Sequence, residues 1–290
     1  MKALVKKHGE KLELTQIPKP FASKNGEVIV KVLMAGICRT DIYVSNGWIN
    51  EVKDNLTIGH EFMGIVEETM SAKFKVGDLV TCNPIFDNDK MFGVDYDGCF
   101  AEFIKVYDTK LYHANEVELK FGAYVEPIAA SLAPLTSKLI NKDLFGAVYG
   151  NNRIGELTFN ILKDAGYNIV LLDHKTPEQY KSETYDYIIE TFSQIEAFDN
   201  IIRILKRKGI FIAKSRNPDK IPLDLYTIVK KGIIIEGLYY GDFSMAVEYA
   251  RNKTYLFENL MGKVYPLEDW EKAYTENDLG LHKIFFNPTL

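Results

Sequence analysis

One stretch in the second half of the chain strongly restricts its fold. The sequence reads FGAVYG from position 145, continues with an amphipathic segment over 154–165, and then reads NIVLLD. An apolar run, a glycine turn, a helix and a second apolar run form a β-α-β unit. Further apolar runs, YDYIIE, GIFIAKS and GIIIEGLYY, alternate with helical segments near 195–206 and 223–230. Because each crossover carries a helix, we predict a parallel sheet with helices packed against it.

The first 112 residues show a different pattern. Short runs rich in valine and isoleucine, such as VIVKVLM and GIVEE, are broken by Gly, Pro, Asn and Asp, without a long helical period. Many short strands separated by turn signals predict a compact β-barrel or sandwich. With 290 residues and a hydrophobic content of 47%, the chain is long enough for two domains with ordinary cores.

Charge and hydropathy argue against several classes of partner. The net charge of −5 is spread over interspersed charges of both signs and leaves no basic stripe, so nucleic acid is not expected as a partner. The first residues lack a signal-peptide core, and nowhere do 18 apolar residues run together. The three cysteines contain no C-x-x-C pair and suggest no disulfide framework. We therefore expect a soluble cytoplasmic protein without a membrane span.

One short segment of the first half gathers side chains that bind zinc. In GICRTDIYVSNGWINEVKDNLTIGHE, Cys38 follows an apolar strand run, and His60 and Glu61 precede another. Thiolate, imidazole and carboxylate are the protein ligands of zinc. Thr40 supplies a hydroxyl for proton transfer, and Asp41 supplies a carboxylate that can orient an imidazole. Each residue alone is more often structural, so the metal hypothesis depends on their combination.

The glycine turn of the β-α-β unit predicts a dinucleotide site with one departure from the usual pattern. GNNRIG keeps the first and third glycines of G-x-G-x-x-G, Gly150 and Gly155, but has Asn152 in place of the second. Asn152 narrows the space for a pyrophosphate, although asparagine tolerates a left-handed backbone. Asp173, 23 residues after Gly150 (173 − 150), is placed to bond a ribose 2′-hydroxyl and to repel a 2′-phosphate. We expect this turn, including Ile154, to bind NAD rather than NADP.

Several strings along the chain together resemble one protein family. GICRTD, IGHEFMGIVEE, KVGDLV, GCFAEFIKV and VEPIAAS, followed by YPLEDWEKAY and HKIFFNP, resemble the zinc-dependent medium-chain dehydrogenase/reductase family of the alcohol dehydrogenase superfamily, in its sorbitol- and threonine-dehydrogenase-like branch. The resemblance implies an α/β fold with a GroES-like β-barrel catalytic domain and a Rossmann-type dinucleotide-binding domain. We assign the catalytic domain to 1–120 and 255–290 and the Rossmann-type domain to 121–254. Only HKTPEQYKSET separates the second strand from YDYIIE, so the Rossmann-type domain is expected to be shortened.

The resemblance implies an activity and a ligand set. Members of this branch transfer a hydride between a secondary alcohol, such as a polyol, sugar or amino-alcohol, and NAD(P). The glutamate of an EP pair reaches their catalytic zinc, and the matching residue here is Glu126, in a predicted helix over 121–140. The implied ligands are Cys38 and His60 with one or both of Glu61 and Glu126. A first-turn carboxylate stabilised by the helix dipole remains the alternative for Glu126. The four cysteines of a second, structural zinc are missing from the sequence.

The same resemblance implies roles for the residues that follow the first ligand. Thr40 would carry the released proton, and Asp41 would hold the imidazole in its metal-binding tautomer. Tyr43 stands where relatives often have histidine, and tyrosine is a poor base at pH 7. Arg39 would contact the cofactor pyrophosphate, for which its bidentate guanidinium is suited; a merely solubilising arginine is the alternative.

Two other functions stay open at this point. One is a zinc-free quinone or enone reductase of the same family, which would have no need of the ligand set. The other is a non-catalytic family member that binds a nucleotide or a partner, which Asn152 and the shortened domain favour. Relatives are dimers or tetramers, so the resemblance implies a homodimer or homotetramer.

Overall fold

The computed structural model describes residues 1–7, 11–49, 53–86, 89–192, 194–216, 220–279 and 282–290. They form two compact units, one of residues 1–128 and 243–290 and the other of residues 129–242. The division thus falls near the sequence boundaries proposed above, at 120 and 255, but not at the same residues. The functional assignment of the two units stays a prediction.

Strands dominate the first unit, and strands alternate with helices in the second. In chain order the strands are β1 (Lys2–Lys6), β2 (Leu12–Gln16), β3 (Glu27–Gly36), β4 (Leu56–Thr57), β5 (Glu61–Thr69), β6 (Leu79–Cys82), β7 (Phe103–Tyr107), β8 (Leu111–His113), β9 (Gly146–Tyr149), β10 (Ile169–Leu172), β11 (Tyr185–Glu190), β12 (Leu205–Ala213), β13 (Ile234–Gly237), β14 (Met261–Tyr265) and β15 (Lys283–Phe286). The α-helices are α1 (Arg39–Ser45), α2 (Leu119–Ala123), α3 (Val125–Leu132), α4 (Arg153–Asp164), α5 (Ile195–Ile204), α6 (Leu225–Lys231), α7 (Phe243–Asn252) and α8 (Trp270–Leu279). None of the helices in the described ranges is long and apolar enough to cross a membrane.

The first unit is organised around β3. This strand pairs with β5, β7 and β15, all antiparallel, inside a larger sheet that runs β14-β15-β3-β5-β6-β8. A smaller sheet has the order β2-β1-β4. Side chains of β3 such as Val28, Val30 and Val32 are fully buried and pack in one apolar core with residues of β5 and β15. The predicted β architecture is therefore present, and β15 brings the carboxy-terminal end of the chain beside β3.

Helix α7 belongs to the first unit. It packs against α2 and β8 of that unit, and its residues Phe243 and Ala246 are buried. The sequence assignment had placed this segment with the dinucleotide-binding domain. Only tertiary packing determines which unit buries the apolar face of such a helix.

The second unit contains a five-stranded parallel sheet in the order β10-β9-β11-β12-β13. The predicted parallel sheet is confirmed. Residues 173–184, all described, connect β10 to β11 through a single 3-10 turn at Pro177–Gln179. This connection contains no strand that could pair with the outer side of β10, and β10 lies at the edge of the sheet. From β9 the chain first adds β10 on one side of the sheet and then β11 on the other, so the strand order reverses between β9 and β11. In open α/β sheets, ligands bind at the carboxyl ends of the strands at such a point.

The predicted single helix over 121–140 is wrong. The structure has α2, then α3 after Tyr124, and then a 3-10 turn at Ala133–Thr136. Pro127 falls in the first turn of α3, where no backbone donor is needed, whereas Pro134 lacks the N–H that would continue the α-helical ladder. The apolar pattern continued past the point at which proline ended the helix.

Candidate active site

Cys38 lies two residues beyond β3 and caps the amino terminus of α1. Its N–H donates to Asp41 Oδ2 at 2.7 Å, which satisfies one of the donors near the helix start. Its sulfur is half-buried and lies 3.9 Å from the hydroxyl of Thr40. The start of α1 therefore fixes the direction of the thiol.

His60 lies directly before β5 and is fully buried. Its Nδ1 is 3.1 Å from Asp41 Oδ1, and Asp41 is also fully buried. A carboxylate oxygen only accepts, so Nδ1 carries a proton, and in the neutral imidazole Nε2 therefore keeps its lone pair. The buried Nε2 has no hydrogen-bond partner in the described part of the chain. A buried nitrogen lone pair without a donor is what an imidazole ligand presents to a metal ion.

Glu61 opens β5 and forms a buried ion pair with Lys283, the first residue of β15. The register places Glu61 opposite Gly36 of β3 and Gly36 opposite Phe285. Glu61 Oε2 lies 2.5 Å from Lys283 Nζ, and both side chains are almost completely buried. A Cβ at Gly36 would lie 2.5 Å from that oxygen and 2.7 Å from Lys283 Cε, so only glycine leaves room for the pair.

Sequence reasoning assigned no role to Lys283. The sequence does contain a signal for a buried ion pair, which is a lysine at the start of the apolar strand KIFF. A buried ammonium group needs a partner of opposite charge. Which carboxylate it would meet depends on the pairing of β15 with β3, and no local pattern encodes that pairing.

The ligand atoms of Cys38, His60 and Glu61 lie within 4.8 Å of one another. Zinc–ligand distances are about 2.0–2.3 Å, so a single ion at the centre of such a group could touch all three with small adjustments. Glu126 is buried in the first turn of α3 and is not part of this group. It is nevertheless close enough for its charge to oppose ionisation of the Cys38 thiol, although the net effect of all neighbours is a lowered pKa. Three of the four candidate ligands are thus gathered, and the fourth lies nearby.

Burial and neighbouring charges shift the pKa of each of the three side chains. Burial opposes ionisation of Cys38, but the adjacent His60 and Lys283 outweigh it and lower the pKa of the thiol to about 6. Burial also opposes the charged form of His60, but Asp41 and Cys38 raise the pKa of the imidazole well above its ordinary value. Burial raises the pKa of Glu61 well above its ordinary value, although Lys283 opposes this. A divalent cation among these atoms would favour thiolate, neutral imidazole and carboxylate together.

The remaining predicted residues of α1 lie close to this group along the helix. Arg39 is its first residue and is exposed, and Thr40 is half-buried. Tyr43 lies one turn further on, and its ring is 5.5 Å from that of Trp48, which is 57% exposed. The chain from Thr40 to Tyr43 therefore runs from the thiol toward solvent, and the roles assigned to these residues stay predictions.

The glycine turn of the second unit retains the close approach that a dinucleotide fold requires. Gly150 has a φ of +130°, and a Cβ there would lie 2.5 Å from the hydroxyl of Thr191. A Cβ at Gly155 would lie 1.9 Å from the Gly150 carbonyl oxygen, so helix α4 packs directly on the turn. Asn152 has an extended backbone with φ −147° and does not use the left-handed conformation. Its side chain instead caps α4 by accepting from the N–H groups of Ile154 and Gly155.

Asp173 directly follows β10 at the carboxyl end of the strand. Its Oδ1 accepts from the N–H of Lys175 at 2.9 Å, and this bond keeps the pKa of the carboxyl below its ordinary value. Its own N–H donates to the hydroxyl of Tyr180 at 2.7 Å. The acid is charged and partly exposed at the position where the fold presents a ribose-binding group.

Comparison with known proteins gives matches over most of the chain. Residues 24–116 match the alcohol dehydrogenase GroES-like domain. The chain is 29% identical to L-threonine 3-dehydrogenase from Caldanaerobacter subterraneus subsp. tengcongensis, over 82% of this chain and 83% of the relative. It is 28% identical to NAD-dependent alcohol dehydrogenase from Sulfurisphaera tokodaii, over 80% and 76%.

Solved structures resemble the whole fold. The crystal structure of 2R,3R-butanediol dehydrogenase from Bacillus subtilis superposes with a TM-score of 0.84, at 22% identity and over 99% of both chains. At that identity the likeness shows the fold alone. Together with the matched GroES-like domain and the parallel sheet, it confirms the predicted fold class.

Proposed function

We propose that this chain is an oxidoreductase of the medium-chain dehydrogenase/reductase family that transfers a hydride between a secondary alcohol and NAD(P), as its matched GroES-like domain and its dehydrogenase relatives support. The observation that carries the proposal is the group of Cys38, His60 and Glu61, with the Nε2 of His60 buried and held toward it by Asp41. A structural role gives no reason to leave that nitrogen without a partner, because an unsatisfied buried acceptor costs free energy.

The metal we assign to this group is one zinc ion, held by Cys38 and His60 with Glu61, Glu126 or both. The donor set of sulfur, nitrogen and carboxylate oxygen fits zinc. When bound, zinc supplies Lewis-acid chemistry, of the kind that lowers the pKa of water from 15.7 to about 7.

The residues of the chain would support this chemistry in separate ways. Asp41 accepts from His60 Nδ1 and so keeps Nε2 available as a ligand. Lys283 compensates the carboxylate of Glu61 in its buried position. Thr40, beside the thiol, would accept the proton released by the alcohol, and Tyr43 would pass it toward solvent.

The finer assignments rest on the relatives and on Asp173. Relatives named for threonine and for alcohol support a small hydroxylated substrate, and we propose a polyol, sugar or amino-alcohol. The carboxylate of Asp173 at the end of β10 favours NAD, because its charge would repel a 2′-phosphate. Arg39 at the start of α1 is proposed to contact the cofactor, and the chain is proposed to form a homodimer or homotetramer.

Metal content and turnover of purified protein test the proposal together. We expect about one zinc ion per chain, and loss of that zinc in Cys38→Ser. The control is Cys82→Ser, because Cys82 is a buried cysteine outside the group of candidate ligands, and this variant should keep the metal. Turnover of polyols, sugars and hydroxy amino acids is followed by nicotinamide absorbance with each cofactor. A metal-free protein with full activity, for example on enones, would instead support the zinc-free reductase.

A further inference from the structure

We propose that Asn152 limits the affinity of this chain for a dinucleotide, because its side chain holds backbone donors that a pyrophosphate would use. The inference rests on the proposed function, since it concerns the cofactor of that reaction. Amino termini of helices bind phosphate through N–H groups that the helix leaves unpaired. In this chain the N–H groups of Ile154 and Gly155, at the start of α4, already have a hydrogen-bond partner.

The carboxamide of Asn152 makes four hydrogen bonds, the longest of them from Nδ2 to the hydroxyl of Thr191 at 3.4 Å. Its Oδ1 accepts from the N–H groups of Ile154 and Gly155, each at 3.1 Å. Its Nδ2 donates to the carbonyl oxygen of Thr191 at 3.0 Å, just beyond the end of β11. The side chain is therefore held both by helix α4 and by the residue that follows β11, and a rotation that releases the helix donors would break all four bonds.

A further donor of the turn is taken as well. The N–H of Asn151 donates to Nδ1 of His174 at 3.2 Å. The His174 ring stacks on Phe192, with ring centroids 3.6 Å apart. His174 follows β10 and Phe192 follows β11, the two strands that flank β9 in the sheet. Side chains from both neighbouring strands thus close over the turn that follows β9.

The rest of the turn retains the form that suits a dinucleotide. Gly150 and Gly155 still allow the close approach of strand, turn and helix described above. The departure from the usual pattern is therefore concentrated in the side chain at position 152. A dinucleotide would have to displace the carboxamide before the N–H groups of Ile154 and Gly155 could donate to it.

The affected quantity is the dissociation constant of the cofactor. Each intramolecular hydrogen bond that must be exchanged contributes modestly to free energy, and together the bonds of Asn152 amount to about tenfold or more in an equilibrium constant. Removal of the carboxamide should therefore lower the dissociation constant of the cofactor by that factor. Glycine is the suitable replacement, since it is tolerated at helix N-caps with little loss of stability.

The test is calorimetric titration of the full-length zinc-loaded protein with NAD and, separately, with ADP-ribose, which contains the pyrophosphate without nicotinamide. We expect Asn152→Gly to lower both dissociation constants by about tenfold or more relative to wild type. Asp224→Gly is the matched control, because the Asp224 side chain caps α6 through the N–H of Thr227 at 3.1 Å in the same unit. This variant should bind like wild type. Asn152→Ser keeps a capping oxygen on a shorter side chain and provides a second variant. Its dissociation constants should lie between those of wild type and Asn152→Gly.

The outcomes separate this inference from the proposed function. Equal or weaker binding by Asn152→Gly, with wild type binding NAD, would overturn the role of Asn152 and leave the proposed function in place. Absence of binding in both proteins would overturn the role of Asn152 and the use of NAD together. Tighter binding in Asp224→Gly as well would show a general loosening of the unit and would also overturn the inference.

Discussion

Replacement of Asp41 by asparagine should weaken metal binding by changing the tautomer of His60. Asp41 accepts two hydrogen bonds, from Cys38 N–H at 2.7 Å and from His60 Nδ1 at 3.1 Å. An asparagine has one accepting oxygen and one donating amide group. If the oxygen keeps the bond from Cys38, the amide faces Nδ1 and can donate to it only when Nδ1 is unprotonated. The proton then resides on Nε2, which is no longer free to bind a metal.

The size of the effect follows from these two contacts. Loss of a partner that orients a metal-bound histidine typically reduces metal affinity 10- to 100-fold, or by about 1.4–2.7 kcal/mol. In metal-free protein, Asp41→Asn leaves one buried donor or acceptor mismatched, which costs about 1–3 kcal/mol. Asp41→Ala removes both acceptors and should cost about twice as much in the free energy of unfolding. Against a total stability of about 5–15 kcal/mol, Asp41→Asn should still fold, and it is the variant used for the metal measurement.

Two measurements separate these contributions. Zinc affinity is measured by competition with a chromophoric chelator, and the free energy of unfolding by urea titration with excess chelator and then with excess zinc. Asp224→Asn is the control, because it changes a helix cap that is remote in sequence and lies in the other unit. The reasoning is refuted if Asp41→Asn binds zinc as tightly as wild type, since the tautomer of His60 would then not depend on Asp41.

Two further predictions concern the second unit. Gly146→Ala should destabilise the protein by about 1–3 kcal/mol in urea unfolding, because a Cβ there would lie 2.0 Å from the fully buried ring of Tyr187. Gly237→Ala, in a strand of the same sheet, should change stability by less than about 0.5 kcal/mol, because nothing lies within 4 Å of its Cβ position; equal losses in both variants would contradict the steric explanation. Asp173→Ala should reduce the preference for NAD over NADP, measured as the ratio of kcat/KM values, and an unchanged ratio would remove the role assigned to its charge.

The types of secondary structure could be predicted because their signals are local. The alternation of apolar residues in β3 and the apolar run of β10 are properties of a few consecutive residues. The extents of elements were less accessible: the apolar pattern over 121–140 suggested one helix, but the chain breaks at Tyr124 and again at Pro134. The unit that buries α7 was likewise undetermined, because an amphipathic helix does not specify the surface it packs on.

The sequence by itself determined which side chains near β3 and β5 could bind a metal, since Cys38, His60 and Glu61 lie at or beside strand ends and have the required chemistry. The contact of Asp41 with His60 was predicted, but only the tertiary structure decided that Lys283 meets Glu61 across Gly36. That ion pair depends on the pairing of β3 with β5 and with β15, and the β3–β15 pairing joins residues more than 200 positions apart.

The turn at Asn152 shows the same division. The sequence identified the departure from the glycine pattern, and the structure determined its consequence, because side-chain hydrogen bonds at a helix start depend on what the neighbouring strand places beside them. Local periodicity fixes the kind of element a segment forms. Non-local pairing of strands and helices fixes which polar atoms meet, and therefore what the site can bind.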